Sequence, residues 1–300
     1  MTDRTGTLQR IGRLLERRLP MIVVSPLFAA SLFFVYGFIV WTAYISLTKS
    51  GVMPVYEFDG LAQYVRLWST PRWYVAIENL FVFSALFIGI SMAIGIFLAV
   101  LLDQRVRAEG VIRTIYLYPM ALSFIVTGTV WKWILNPGLG VERLMREAGF
   151  ESFTFDWLVN SDMAIYTVVI AAVWQSSGYA MALFLAGLRS VDDEVLKAAA
   201  IDGAGPWRTY TGIILPMLRP VFLSTVIILA HLAIKSFDLV IALTGGGPGY
   251  ATDMPATFMY SFAFQRSELG VAAASATMML MTICAIIVPY LYSELRKTGE

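Results

Sequence analysis

Glu194-Val-Leu-Lys-Ala-Ala-Ala-Ile-Asp-Gly-Ala-Gly-Pro-Trp-Arg-Thr-Tyr210, running on to Leu215-Pro216, is a polar interval between two of the most apolar parts of the chain. Helix formers extend through Ala200, Gly203 can turn the chain, and Gly205-Pro206 opens a second short helix. The segment therefore reads as helix, break, helix. Ala198, Ala199 and Ala200 leave one surface nearly flat, so another backbone can come close, and Trp207 and Tyr210 offer apolar area beside it. Such a handle suits docking.

The flanks decide the class. Of 300 residues, 58% are hydrophobic and 14% charged, against roughly 25% charged in a soluble domain. This is the composition of a membrane protein. A net charge of +1 gives no reason to expect nucleic acid, whose binders concentrate basic charge on one face. One cysteine, Cys284, allows no internal disulfide, and with a single histidine it leaves little for a soft-metal site.

Five arginines (Arg4, Arg10, Arg13, Arg17, Arg18) precede Leu19-Pro20, after which nothing is charged up to Thr48. That run exceeds the roughly 20 residues a helix needs to cross a bilayer and shows no clear cleavage site, so it reads as an uncleaved first span. Residues 1–19 form a tail and the remainder, 20–300, one permeation domain. Further charge-free windows, and one that tolerates Lys235 and Asp238, predict an all-α polytopic protein with six spans near 20–48, 79–102, 112–135, 163–188, 218–243 and 269–293. The handle, 189–217, lies between spans four and five.

Lysine and arginine are biased toward cytoplasmic loops. With both termini inside, the cytoplasmic segments hold 14 of the 22 basic residues, the external ones six, and Lys132 and Lys235 fall within spans. That arrangement puts the handle in the cytoplasm. The external loops, Gly51 to Ile77, Asn136 to Asp162 and Thr244 to Glu268, are too small for a catalytic unit. Their Trp68, Trp73, Tyr74 and Trp157 fit an interfacial aromatic belt or short surface helices.

Thr244-Gly-Gly-Gly-Pro-Gly-Tyr250 invites a phosphate-loop reading, but no Gly-Lys-Ser/Thr follows and no strand precedes it. A flexible turn is the expectation. The chain has no visible means to hydrolyse ATP, and no convergent acids, nucleophile motif or zinc motif that would make it a membrane enzyme.

Polar groups within spans mark candidate solute contacts. His231, Lys235 and Asp238, four and three apart, fall within about 60° on one helical face. Either Lys235 and Asp238 satisfy each other against neighbouring helices, or the stripe lines a path. Trp174-Gln-Ser-Ser-Gly-Tyr179 interrupts the fourth span with hydrogen-bonding groups and a glycine between aromatics; Trp174, Gln175, Ser177 and Tyr179 suit a sugar, which needs polar partners and an aromatic platform. Close helix packing explains the same small residues.

The handle resembles the EAA loop of permease subunits in binding-protein-dependent ABC importers, a pattern of Glu-Ala-Ala, three residues, Gly, then Ile-x-Leu-Pro. Lys197-Ala198-Ala199, Gly203 and Ile213-Ile214-Leu215-Pro216 occupy those positions. Thr244 to Thr252 and Phe264 to Gly270 look like the last external loop of the carbohydrate branch that includes the maltose permeases. Tyr116 to Ala121, Trp133 to Gly138 and Ser236-Phe-Asp238 look most like glucose or mannose permeases. The similarity covers most of the chain.

The resemblance implies a type I ABC importer permease fold in a bacterial or archaeal cytoplasmic membrane. It implies a second permease subunit forming a heterodimer, two ATPase subunits carrying ATP and magnesium, and an external sugar-binding protein, with no cofactor in this chain. Glu194, Lys197, Ala198, Ala199, Asp202, Gly203, Ala204, Leu215 and Pro216 would meet the ATPase. The family glutamate is Lys197 here, which removes any salt bridge carried by that residue unless Glu194, one turn earlier, substitutes. The alternatives are a proton-coupled carrier using Asp238, for which no inverted repeat is evident, or an importer of an oligosaccharide or glycerol phosphate.

Overall fold

A computed structural model describes residues 4–104 and 107–298. Residues 1–3 of the expected tail, Arg105 and residues 299–300 lie outside that range, as do the side chains of the five N-terminal arginines, Arg296 and Lys297. The described residues are helical throughout apart from loops and one isolated bridge, Thr48 with Phe58.

Helix α1 (Arg4–Ile45) continues from the tail without a break. It is followed by α2 (Ala62–Ser69) and α3 (Pro71–Asp103), which Pro71 starts at a position where its missing N–H is harmless. After α4 (Glu109–Leu117) comes a 3-10 turn (Tyr118–Ala121), then α5 (Phe124–Ile134) and the short α6 (Val141–Glu147). Helix α7 (Ala164–Leu188) is the most buried of the long helices. The handle holds α8 (Asp193–Ile201), α9 (Pro206–Thr209), a π turn (Tyr210–Ile214) and α10 (Leu215–Met217). Helices α11 (Arg219–Ile234), α12 (Asp238–Leu243), α13 (Pro255–Tyr260), a second π turn (Ser261–Gln265) and α14 (Leu269–Thr298) complete the chain.

Four of these are long and apolar enough to cross a bilayer: Val23–Ile45, Pro71–Asp103, Ala164–Leu188 and Leu269–Tyr290. Two further crossings exist only if bent pairs count as one each. Glu109–Ala121 and Phe124–Ile134 meet at 100°, and Trp207–Met217 and Arg219–Ile234 at 63°. The expected span over 112–135 is thus broken, and that over 218–243 begins at the second bend and loses its helix at 235–237. Pro119 removes a backbone donor, and Ser123 restarts the helix by accepting the Ile125 N–H at 3.3 Å.

Helix α3 lies along α7, and the two meet most closely where Gly95 faces Ala180. One apolar cluster joins Phe83, Phe87 and Val168 to Leu229, Leu239 and Leu243. A second, at the handle end, joins Leu98, Leu102, Phe184 and Leu188 to Ile214 and Leu218. Helix α1 packs on α14, and its apolar window is left largely uncovered.

Candidate functional site

The handle is built by capping. Asp192 Oδ1 accepts the Glu194 N–H at 2.9 Å, and Asp193 and Glu194 set negative charge against the positive end of α8. At the other end the Ala204 N–H reaches the Ala199 carbonyl at 3.0 Å and the Gly203 N–H reaches Ala200 at 3.1 Å. This is a Schellman closure, and it puts Gly203 at φ +73°, a conformation that disfavours any residue with a Cβ.

Glu194, Lys197, Ala198, Asp202 and Gly203 are exposed, as is Pro216; Ala204 and Leu215 are half-buried, and Ala199 alone of the alanines turns inward. No ion pair forms at Glu194 or Lys197 among the described residues. Two large apolar groups stand nearly bare, Ile201 at 86% and Trp207 at 81%. Tyr210 corrects the flat-face expectation. It turns back, half-buried, and its hydroxyl donates to Asp103 Oδ2 at 3.0 Å. Beside it, Arg189 pairs with Glu109 at 2.9 Å, and that hydrogen bond pushes the Arg189 pKa up.

The Trp174–Tyr179 stretch does not interrupt α7, which is continuous. Gln175, 3% exposed, donates its Nε2 to the Leu122 carbonyl at 2.8 Å, at the bend between α4 and α5. That carbonyl has lost its helical partner, and a buried amide replaces it. A Cβ on Gly178 would stand 1.8 Å from the Tyr116 carbonyl oxygen, so the glycine admits the bent backbone. Ser177 is buried beside it, Tyr179 is half-buried, and Trp174 lies edge-on to Trp131 at 5.9 Å.

The stripe of His231, Lys235 and Asp238 is not on one helix either. Helix α11 stops at Ile234 and α12 starts at Asp238, leaving 235–237 non-helical. All three nevertheless line one cavity of about 230 Å³, together with Phe83, Phe87, Phe124 and Phe237. Lys235 and Asp238 form no ion pair, and His231 Nδ1 is buried without a partner. The rings of Phe83 and Phe87 stack at 5.3 Å. Trp174, Gln175, Ser177 and Tyr179 do not line this cavity; from α7 it takes Ala172. The phenylalanines escaped the sequence reading because apolar aromatics in a span resemble core.

Ser236, which also lines the cavity, donates its Oγ to Met254 Sδ at 3.0 Å, next in sequence to Asp253. Asp253 is bound by Arg72 at 2.6 Å and accepts the Thr257 hydroxyl. The expected flexible turn at 244–250 is instead tied down: Thr252 Oγ1 bonds Thr244 Oγ1 at 2.6 Å and donates to the Gly247 carbonyl at 3.0 Å. Trp73, expected at the interface, is 2% exposed and packs on Phe258.

Residues 86–297 match the model of a family described as the binding-protein-dependent transport system inner membrane component. The chain belongs to that family. It is 41% identical over 261 residues to a probable ABC transporter permease of Pyrococcus horikoshii, covering 86% of this chain and 89% of that one. A xylose/arabinose import permease of Haloferax volcanii is 38% identical, with 82% and 78% covered. The sn-glycerol-3-phosphate transport system permease of Pectobacterium atrosepticum is 31% identical, with 92% and 94% covered. A bacterial ABC transporter that imports alginate shares the fold at TM-score 0.80 and 20% identity, over 96% of this chain and 99% of that one. The all-helical permease fold of this family is therefore the fold of this chain.

Proposed function

We propose that this chain is the transmembrane permease subunit of an ATP-driven sugar importer, with six spans, both termini in the cytoplasm, and no ATPase site of its own. The observation that carries it is the family match together with a doubly capped α8 that leaves Ile201 and Trp207 bare. A separate ATPase, holding ATP and magnesium, seats on Glu194, Lys197, Ala198, Ala199, Asp202, Gly203, Ala204, Leu215 and Pro216. A second permease, different in sequence, completes the path, and an external binding protein delivers the sugar. A bacterial alginate ABC transporter of the same fold, solved in complex with a periplasmic protein bound to an alginate pentasaccharide, supports that arrangement.

The cavity at the α11–α12 break is the segment of the path lined by this chain. Phe83, Phe87, Phe124 and Phe237 offer faces for the apolar side of a sugar, and His231, Lys235 and Asp238 offer polar partners for its hydroxyls. The solute is a monosaccharide, glucose or mannose, supported by the resemblance at Tyr116–Ala121, Trp133–Gly138 and Ser236–Asp238. A labelled-uptake panel of glucose, mannose, xylose, arabinose and glycerol phosphate in a deletion strain tests it. Uptake of the pentoses alone overturns the hexose reading. Co-purification with a soluble ATPase, lost on Gly203→Val, tests the docking; a Gly203→Val chain that assembles and transports overturns it.

Asp238, which lines the cavity and forms no ion pair among the described residues, is what a proton-coupled carrier would use. That reading requires uptake driven by a proton gradient in ATP-depleted vesicles.

A further inference from the structure

The handle reaches the rest of the chain through two kinds of contact. Ile214 and Leu218 enter the apolar cluster formed by Leu98, Leu102, Phe184 and Leu188. Such contact is strong but non-directional, so it holds the handle near the end of α3 without fixing its angle. Two polar ties add direction. Arg189 spans from Glu109 at 2.9 Å to the Leu102 carbonyl at 3.5 Å. Tyr210 Oη donates to Asp103 Oδ2 at 3.0 Å and accepts from Gln104 Nε2 at 3.3 Å.

These ties are not equal. Arg189 and Glu109 are 44% and 29% exposed, and an ion pair that open to solvent holds little. The Tyr210 bond is charge-assisted and partly buried, with its hydroxyl caught between the last residue of α3 and the one that follows. Tyr210 also opens the π turn, the point at which α9 becomes the approach to α11. Between it and α8 stand Gly203 and Gly205, around which no regular structure bridges the two halves.

We infer that the Tyr210 hydroxyl is a positioning group which, by binding Asp103, sets the angle of the handle on the end of α3. A docked subunit that displaces the handle then moves α3 with it; without the bond the handle rolls on its apolar seat and part of the displacement is lost there. This rests on the docking reading above, and it concerns efficiency of transmission, not attachment.

The test uses the complete importer, purified with its ATPase, reconstituted in liposomes and supplied with binding protein and sugar. The readout is ATP hydrolysed per sugar taken up. Tyr210→Phe removes one oxygen from a half-buried ring; it is expected to retain the ATPase and raise that ratio several-fold. Asp103→Ala raises it equally, the double variant goes no further, and Asp103→Asn, which keeps an accepting oxygen, stays near the wild-type ratio. Ratios unchanged in both Tyr210→Phe and Asp103→Ala overturn the inference, as does loss of the ATPase from both. A wild-type chain that retains no ATPase removes the docking reading and the inference with it, and does so before any variant is made.

Discussion

The Arg72 guanidinium meets the Asp253 carboxylate at 2.6 Å beneath the ring of Tyr250, whose centroid lies 4.4 Å away. The Asp253 side chain is 1% exposed and that of Arg72 13%. Arg72 also donates to Ser261 at 3.0 Å, and Asn79 donates to the Asp253 carbonyl at 2.9 Å. The start of α3 and the glycine-rich loop before α13 are therefore one unit. Removing a single partner strands a buried charge: Arg72→Met is expected to cost about 3–5 kcal/mol, whereas Arg72→Met with Asp253→Leu recovers most of it. Thermal unfolding in detergent distinguishes the two.

Gln175→Leu leaves the half-buried Leu122 carbonyl without its donor. A loss of about 1–3 kcal/mol is expected, and Gln175→Glu, which lacks the amide donor, does no better. Unfolding midpoints that match wild type would show that the bend does not need this bond.

Gly178→Ala puts a methyl group where the Tyr116 carbonyl stands, 1.8 Å from its oxygen. Backbone on both sides has to move, with an expected cost of about 1–3 kcal/mol. The yield of folded protein and its melting midpoint both report this.

Gly203→Ala meets no neighbour within 4 Å, so its effect is conformational only. Holding φ at +73° with a Cβ costs about 1–2 kcal/mol. That strain frays the end of α8; ATPase retention is expected to fall while the melting midpoint of the permease changes little.

Asp238→Asn breaks no ion pair among the described residues. Stability is expected to hold and uptake to fall. Uptake at the wild-type rate would remove Asp238 from the path.

The handle was legible because its parts are local: a cap, an alanine run, a glycine and a proline follow one another within a few residues of chain. The long apolar windows were legible for the same reason. The bends were not. A window such as Thr114 to Trp131 is equally apolar whether its helix is straight or broken, and what makes the break stable is Gln175, distant in sequence. Lys235 and Asp238 were found by their charge, but the helical-face argument that joined them fails at 235–237, and a cavity joins them instead. Tyr210 read as an outward aromatic because nothing in its own segment announces Asp103.

Helix α1 finds its intramolecular partner in α14, and the Leu269 and Gly270 amides bond the Gly51 and Ser50 carbonyls at 3.2 and 2.9 Å. Ser50 and Gly270 are thus tied backbone to backbone across everything from α2 to α13, so cleavage in any loop between them leaves α1 and α14 held to each other by these bonds and by packing.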